Sequence, residues 1–157
     1  MILDKRNEFA DAVSVAAAAG TALIGNVIDL GVNPGNLGVE EGPLYLVIRP
    51  STEIITAGAA GTLQFQLASD AQAAIATDGS ASVHAGSKLH VTDGTDANGA
   101  GMKAGGDAFI IKLPVDTYER YLGILAVTAT TTTTAGAVDA FLTKDLNAWK
   151  AMPDAVN

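Results

Sequence analysis

The side chains able to do chemistry are few and poorly placed for it. His84 and His90 are the only histidines. They share parity, so one unbroken strand would put both on the same face, but about 20 Å apart, too far to share a metal ion. A metal-binding jelly roll of the cupin kind needs a His-x-His pair followed by a glutamate, and neither is present. We therefore expect two surface or half-buried histidines. The stretch "GAGMKA", Gly99 to Ala104, fits the loose dinucleotide pattern G-x-G-x-x-G/A. It lacks the strand before it and the helix after it that would aim backbone N–H groups at a phosphate. "DANGAGMKAGGD", Asp96 to Asp107, imitates a calcium loop, but its fifth position is Ala100 and no helices flank it. No serine occupies a nucleophile elbow. Glu40 and Glu41 are loop neighbours that nothing holds across a cleft. Trp149, the single tryptophan, reads as a packing residue.

No cofactor or metal is therefore expected, and no enzymatic activity. Composition narrows the partners. The 157-residue chain carries a net charge of −8, so it lacks the positive surface that nucleic-acid phosphates require. With no cysteine there is no disulfide framework and no thiolate metal site. Only 17% of residues are charged, well below the usual quarter, while 48% are hydrophobic and only 5% aromatic. Such a surface suits a protein covered by neighbours or, equally, a lightly charged monomer. The opening "MILDKRNEFADAVSVAAAAG" does not read as a secretion signal, because Lys5 and Arg6 are outnumbered by Asp4, Glu8 and Asp11, and it is expected to stay on the chain. Its alanine run is too short and too weakly apolar to span a membrane. Ile2, Leu3 and Phe9 then need burial, under the chain's own body or against another subunit. They are the candidate partner-binding residues.

The elements that would position these residues are strands. Val13 to Ala19 reads as a small-residue strand and Ala22 to Leu30 as a second. A Gly/Pro-rich loop follows. Leu44 to Arg49 is a strong strand that Pro50 should close. In Gly61 to Ser69, Leu63, Phe65 and Leu67 share one face, and Thr62, Gln64 and Gln66 the other. Ser69 to Ala76 is a helical turn or a loop. Ser82 to Val91 reads as one or two weak strands broken at Gly86, and Thr92 to Asp107 as a long loop. Phe109 to Pro114 and Arg120 to Thr128 are strands. Val138 to Thr143 follows a short Thr/Gly connection, which predicts an antiparallel hairpin. About eight short strands without a long helix predict an all-β, antiparallel jelly roll or β-sandwich. We read residues 1–157 as one domain, with an N-terminal arm (about 1–11) and a short C-terminal tail (about 145–157).

Several blocks in a fixed order carry a resemblance: "MILDKRNEFADAVSV", "NVIDLG", "PLYLVIRPSTEI", "TLQFQLASD" and "ERYLGILAVTATTTTTAGAVDAFLTKDLNAWKAMPDA". Together they resemble the capsid cement (decoration) proteins on the heads of Bordetella-phage-like tailed viruses. The likeness covers Met1 to Asp70 and Phe109 to Asn157, and departs most in Ala71 to Asp107. It implies a homotrimeric jelly roll bound to the major capsid protein at three-fold and quasi-three-fold positions on the outside of the virion. It also implies no enzymatic activity, no nucleic-acid partner and no membrane partner. The rival reading is a tail or receptor-binding β-sandwich module that recognises host glycans. The scattered aromatics argue against it.

Overall fold

The computed structural model describes residues 5–32, 43–57, 61–92, 102–106 and 109–146. After a 3-10 turn at Lys5–Asn7, the described residues form nine strands: β1 (Glu8–Ser14), β2 (Gly20–Asp29), β3 (Tyr45–Thr56), β4 (Gly61–Asp70), β5 (Ser82–Gly86), β6 (His90–Thr92), β7 (Phe109–Lys112), β8 (Tyr121–Ala129) and β9 (Thr133–Thr143). They form two antiparallel sheets. One has the order β1-β9-β3-β7 and the other β2-β8-β4-β5, with β6 also pairing with β4. Successive strands change sheet at every step except from β4 through β5 to β6. This is the double-sheet arrangement of a jelly roll.

The core lies between the sheets and follows from strand alternation. Leu63, Phe65 and Leu67 of β4, with Leu122, Ile124 and Ala126 beside them on β8, face Leu46 and Ile48 of β3 and Val138, Ala140 and Leu142 of β9. A second, smaller cluster covers the outer face of the β2-β8-β4-β5 sheet. There the 71–81 segment folds back and seats Ile75 against Ala68 and Leu125. Ile75 packs where β8 carries Gly123, whose missing side chain leaves the space. The Asp70 carboxylate holds this segment, accepting the N–H groups of Gln72 (3.1 Å) and Ala76 (3.0 Å). Ser69 to Ala76 is thus strand end and loop, not a helical turn.

Three expectations need correction. The predicted β8–β9 hairpin does not exist, because the two strands lie in different sheets. The Thr-rich link instead turns the chain from one sheet to the other, with Thr130 at φ +72° and the Thr131 N–H on the Ala129 carbonyl (2.9 Å). Pro50 does not close β3, which runs on to Thr56. The Pro50 carbonyl accepts the Gly105 N–H (2.9 Å) and so points away from β9. Within a strand a residue's N–H and C=O point the same way, so the missing N–H is one that the β3–β9 ladder does not use. Finally, the first strand begins at Glu8, not Val13. Residues 8–11 therefore belong to the sheet beside β9 and not to an arm.

Candidate functional site

Only residue 9 of the three candidate partner-binding residues is described; Ile2 and Leu3 lie outside the described residues. Phe9 is fully buried in the chain's own core. This corrects its assignment as a partner anchor: of the two ways to bury it, the chain uses its own body. Gly25 explains the fit. It adopts φ +64° and its Cα faces the Phe9 carbonyl, where any Cβ would collide with backbone. What the N-terminal region does present is an open cleft of about 550 Å³, lined by Lys5 to Glu8 and Asn26 to Asp29.

His84 is half-buried, as expected, whereas His90 is far less exposed than expected. His90 is 1% exposed and packs edge-on to Phe65, with ring centroids 6.3 Å apart. His84 organises the densest polar network among the described residues. Its Nε2 lies 2.7 Å from Ser69 Oγ, and its Nδ1 lies 2.8 Å from Asp116 Oδ2. The strand pattern positions all three. Ser69 continues the inward face of Leu63, Phe65 and Leu67 on β4. His84 comes from β5, next to β4, and Asp116 from the segment between β7 and β8.

The proton positions follow from what each group can accept. The Asp116 carboxylate can only accept, so Nδ1 bears a proton, and in the neutral imidazole Nε2 is the acceptor of the Ser69 hydroxyl, whose oxygen accepts the Glu119 N–H (3.0 Å). The Nδ1 proton is donated to Asp116. That bond, helped by the Thr117 N–H, holds the Asp116 carboxyl below the ordinary carboxylate range. Tyr118 stacks on the imidazole at 4.2 Å between centroids and donates its hydroxyl to the Pro114 carbonyl (2.6 Å). Burial, and secondly the Asp116 charge, pushes its phenol up to about 12. Ser82 Oγ closes the network by donating to Glu119 Oε1 (2.7 Å).

Sequence reading found no nucleophile with a base, yet here a serine, a histidine and an aspartate align as in acyl-transfer enzymes. The available signal was modest. Extending the β4 alternation by two residues places Ser69 inside, where a hydroxyl needs a partner. Its partners come from 15 and 50 residues away, and no motif spacing encodes that. Alignment alone does not make a catalytic centre. Ser69 is 0% exposed, and an oxygen lone pair that an attack would use is held by the Glu119 N–H. In this conformation the network is a satisfied staple, buried at Ser69 and half exposed at Asp116, that fixes the 113–120 segment to β4 and β5.

The other sequence candidates contribute less. Met102, inside the nucleotide-like stretch, is buried in the core. Gly99, Ala100 and Gly101 of that stretch, and Glu40, Glu41 and Trp149, lie outside the described residues. Among the described residues no cluster of three metal-ligating side chains occurs, and no helix is long and apolar enough to cross a membrane.

A family model named Bbp16 matches residues 9–142, from the second residue of β1 to the last residue but one of β9. The chain belongs to the Bbp16 family. The name points to a Bordetella phage protein, so membership places the chain among phage proteins and suggests a virion component. The matched span takes in both sheets of the sandwich, so the family's pattern is that of the whole β fold. No curated protein matches the sequence.

Proposed function

We propose that this Bbp16-family chain is a capsid cement protein without enzymatic activity. It acts as a homotrimer bound to the major capsid protein on the outside of the head, at three-fold and quasi-three-fold junctions. The observation that carries the reading is the family match across the entire two-sheet jelly roll. The phage-head resemblance of the sequence blocks supports it, and so does the full burial of Ser69 in the serine–histidine pair described above.

Packed DNA presses the head outward, and capsomer seams are its weak points. A trimer over a junction contacts several capsid subunits at once. Once one contact forms, the others become intramolecular, so modest individual affinities multiply through effective concentration. A rigid scaffold serves this purpose, because less conformational entropy is lost when it binds. The long β3–β9 and β4–β8 ladders supply that rigidity.

Co-sedimentation tests the proposal. Purified chain is mixed with stripped, expanded heads of its own phage, and light scattering measures the mass of the unbound protein. Saturable pelleting, with an unbound mass near three times 15.9 kDa, is expected. A monomer that stays in the supernatant would refute the reading.

A further inference from the structure

We propose that residues 71–81 form a latched strap. It lifts off the β2-β8-β4-β5 sheet as a unit while both sheets stay folded, and so vacates an apolar notch on the outer face of that sheet. Four features of the segment carry this, and none of them involves the trimeric reading above.

First, the ends of the strap stay fixed whether or not its middle is seated. Ser69 and Ser82 are paired neighbours on β4 and β5, so the chain leaves and rejoins the sheet at almost one place. A surface loop closed at its base in this way is an Ω-loop. Movement of its middle does not require the two strands to part.

Second, it is held at few points. Residues 71–81 form no strand or helix, and no backbone–backbone hydrogen bond ties them to the rest of the described chain. Ile75 is the one buried side chain of the strap, at 3% exposure; Ala76 and Ala81 are half-buried and the others are exposed. From the sandwich, the Asp70 carboxylate grips the N–H groups of Gln72 and Ala76. Asp78 bonds only to Ser80, inside the strap. The sequence AQAAIATDGSA accounts for this economy. Its alanines and polar residues bury little apolar area, so the hydrophobic contribution falls on a single isoleucine.

Third, these contacts are separate from the main core. Ile75 packs on the outer face with Ala68, Leu125, Leu23, Val27 and Ala81, and no residue of 71–81 belongs to the cluster between the sheets. Lifting Ile75 leaves the packing between the sheets intact. Small units with few buried apolar contacts are the ones that open below the cost of global unfolding.

Fourth, the seat is shaped for a latch. At Gly123 a Cβ would stand 2.5 Å from Ile75 Cδ1 and 3.1 Å from Leu23 Cδ1. The glycine thus leaves a notch in a face that Leu23, Val27, Ala68 and Leu125 make apolar. The chain fills that notch with its own Ile75, and opening the strap empties it.

The test uses the full chain, which has no cysteine. Ala68 lies under the strap and Ala140 between the sheets, and both are 0% exposed, so burial alone predicts equal protection for a thiol at either place. The single variants Ala68→Cys and Ala140→Cys are labelled with a soluble thiol reagent under native conditions. Ala68→Cys is expected to react about 100-fold faster or more, because it needs only the strap to lift. Equal rates overturn the proposal. Adding Ile75→Ala to Ala68→Cys is expected to raise its rate about tenfold or more; an unchanged rate overturns the role of Ile75 as the latch. Native-state hydrogen exchange on the unaltered chain depends on no variant folding. The N–H groups of Gln72 and Ala76 are expected to exchange with little dependence on added urea. Those of Ile124 and Ala126, in the central strand β8, are expected to show the steep dependence of unfolding. One common steep slope for all four means that strap and sandwich open only together, and overturns the proposal.

Discussion

Replacing Ser69 with alanine tests whether the Ser69–His84–Asp116 staple stabilises the fold. The hydroxyl accepts the Glu119 N–H at 3.0 Å and contacts His84 Nε2 at 2.7 Å. Alanine fills nearly the same space, so the cavity term is small. The cost lies in two polar groups left without a partner in a pocket where Ser69 is fully buried and the His84 side chain only 3% exposed. Each such group costs about 1–3 kcal/mol. Partial relaxation brings the expected total to about 2–4 kcal/mol. For a domain of this size that corresponds to a fall in Tm of roughly 5–15 °C. Scanning calorimetry at fixed pH and fixed protein concentration measures it, because assembly would otherwise add its own contribution. Ser80→Ala is the control, since it removes an exposed bond to Asp78 (2.7 Å) and is expected to shift stability by less than about 0.5 kcal/mol. If Ser69→Ala costs no more than this control, the network is not a staple. A double-mutant cycle with Asp116→Ala sharpens the test. Both residues act through one imidazole, so their effects are expected to be non-additive.

Three further outcomes follow from the geometry. Phe9→Ala is expected to lose about 3–5 kcal/mol in urea unfolding, because Phe9 is a core residue; a fully stable variant with impaired head binding would restore its role as an anchor. Gly25→Ala is expected to lower the urea midpoint by the equivalent of about 2 kcal/mol or more, from left-handed strain and the clash with the Phe9 carbonyl; an unchanged midpoint would contradict the β1–β2 packing. Asp29, bonded to Arg120 through both carboxylate oxygens, is lowered from 3.8 to about 2, chiefly by that side chain and then by the Gly31 N–H. A depressed carboxylate stabilises the fold above its unfolded value and loses that effect as pH falls through its folded value. Stability of Arg120→Ala should thus fall less steeply than that of the parent between about pH 4 and 2; identical acid limbs would show that the pair contributes nothing.

The all-β class was legible because alternation is local. Leu63, Phe65 and Leu67 announce an inward face within one strand, and turn residues mark where strands stop. The same local logic misled wherever partners came from far away in sequence. A short threonine-rich link looks the same whether the strands it joins pair or part, and only the competing ladders (β8 with β2 and β4, β9 with β1 and β3) decide that. Pro50 forbids one hydrogen bond, and which side of the strand needs that bond is set by its neighbours. The need to bury Phe9 was plain from its type. That Gly25 on a facing strand makes room for it was not. Ser69, His84 and Asp116 show the division most clearly. Residue types limit what each group can donate or accept, while its partner, its exposure and its capacity to react depend on how two sheets bring distant segments together.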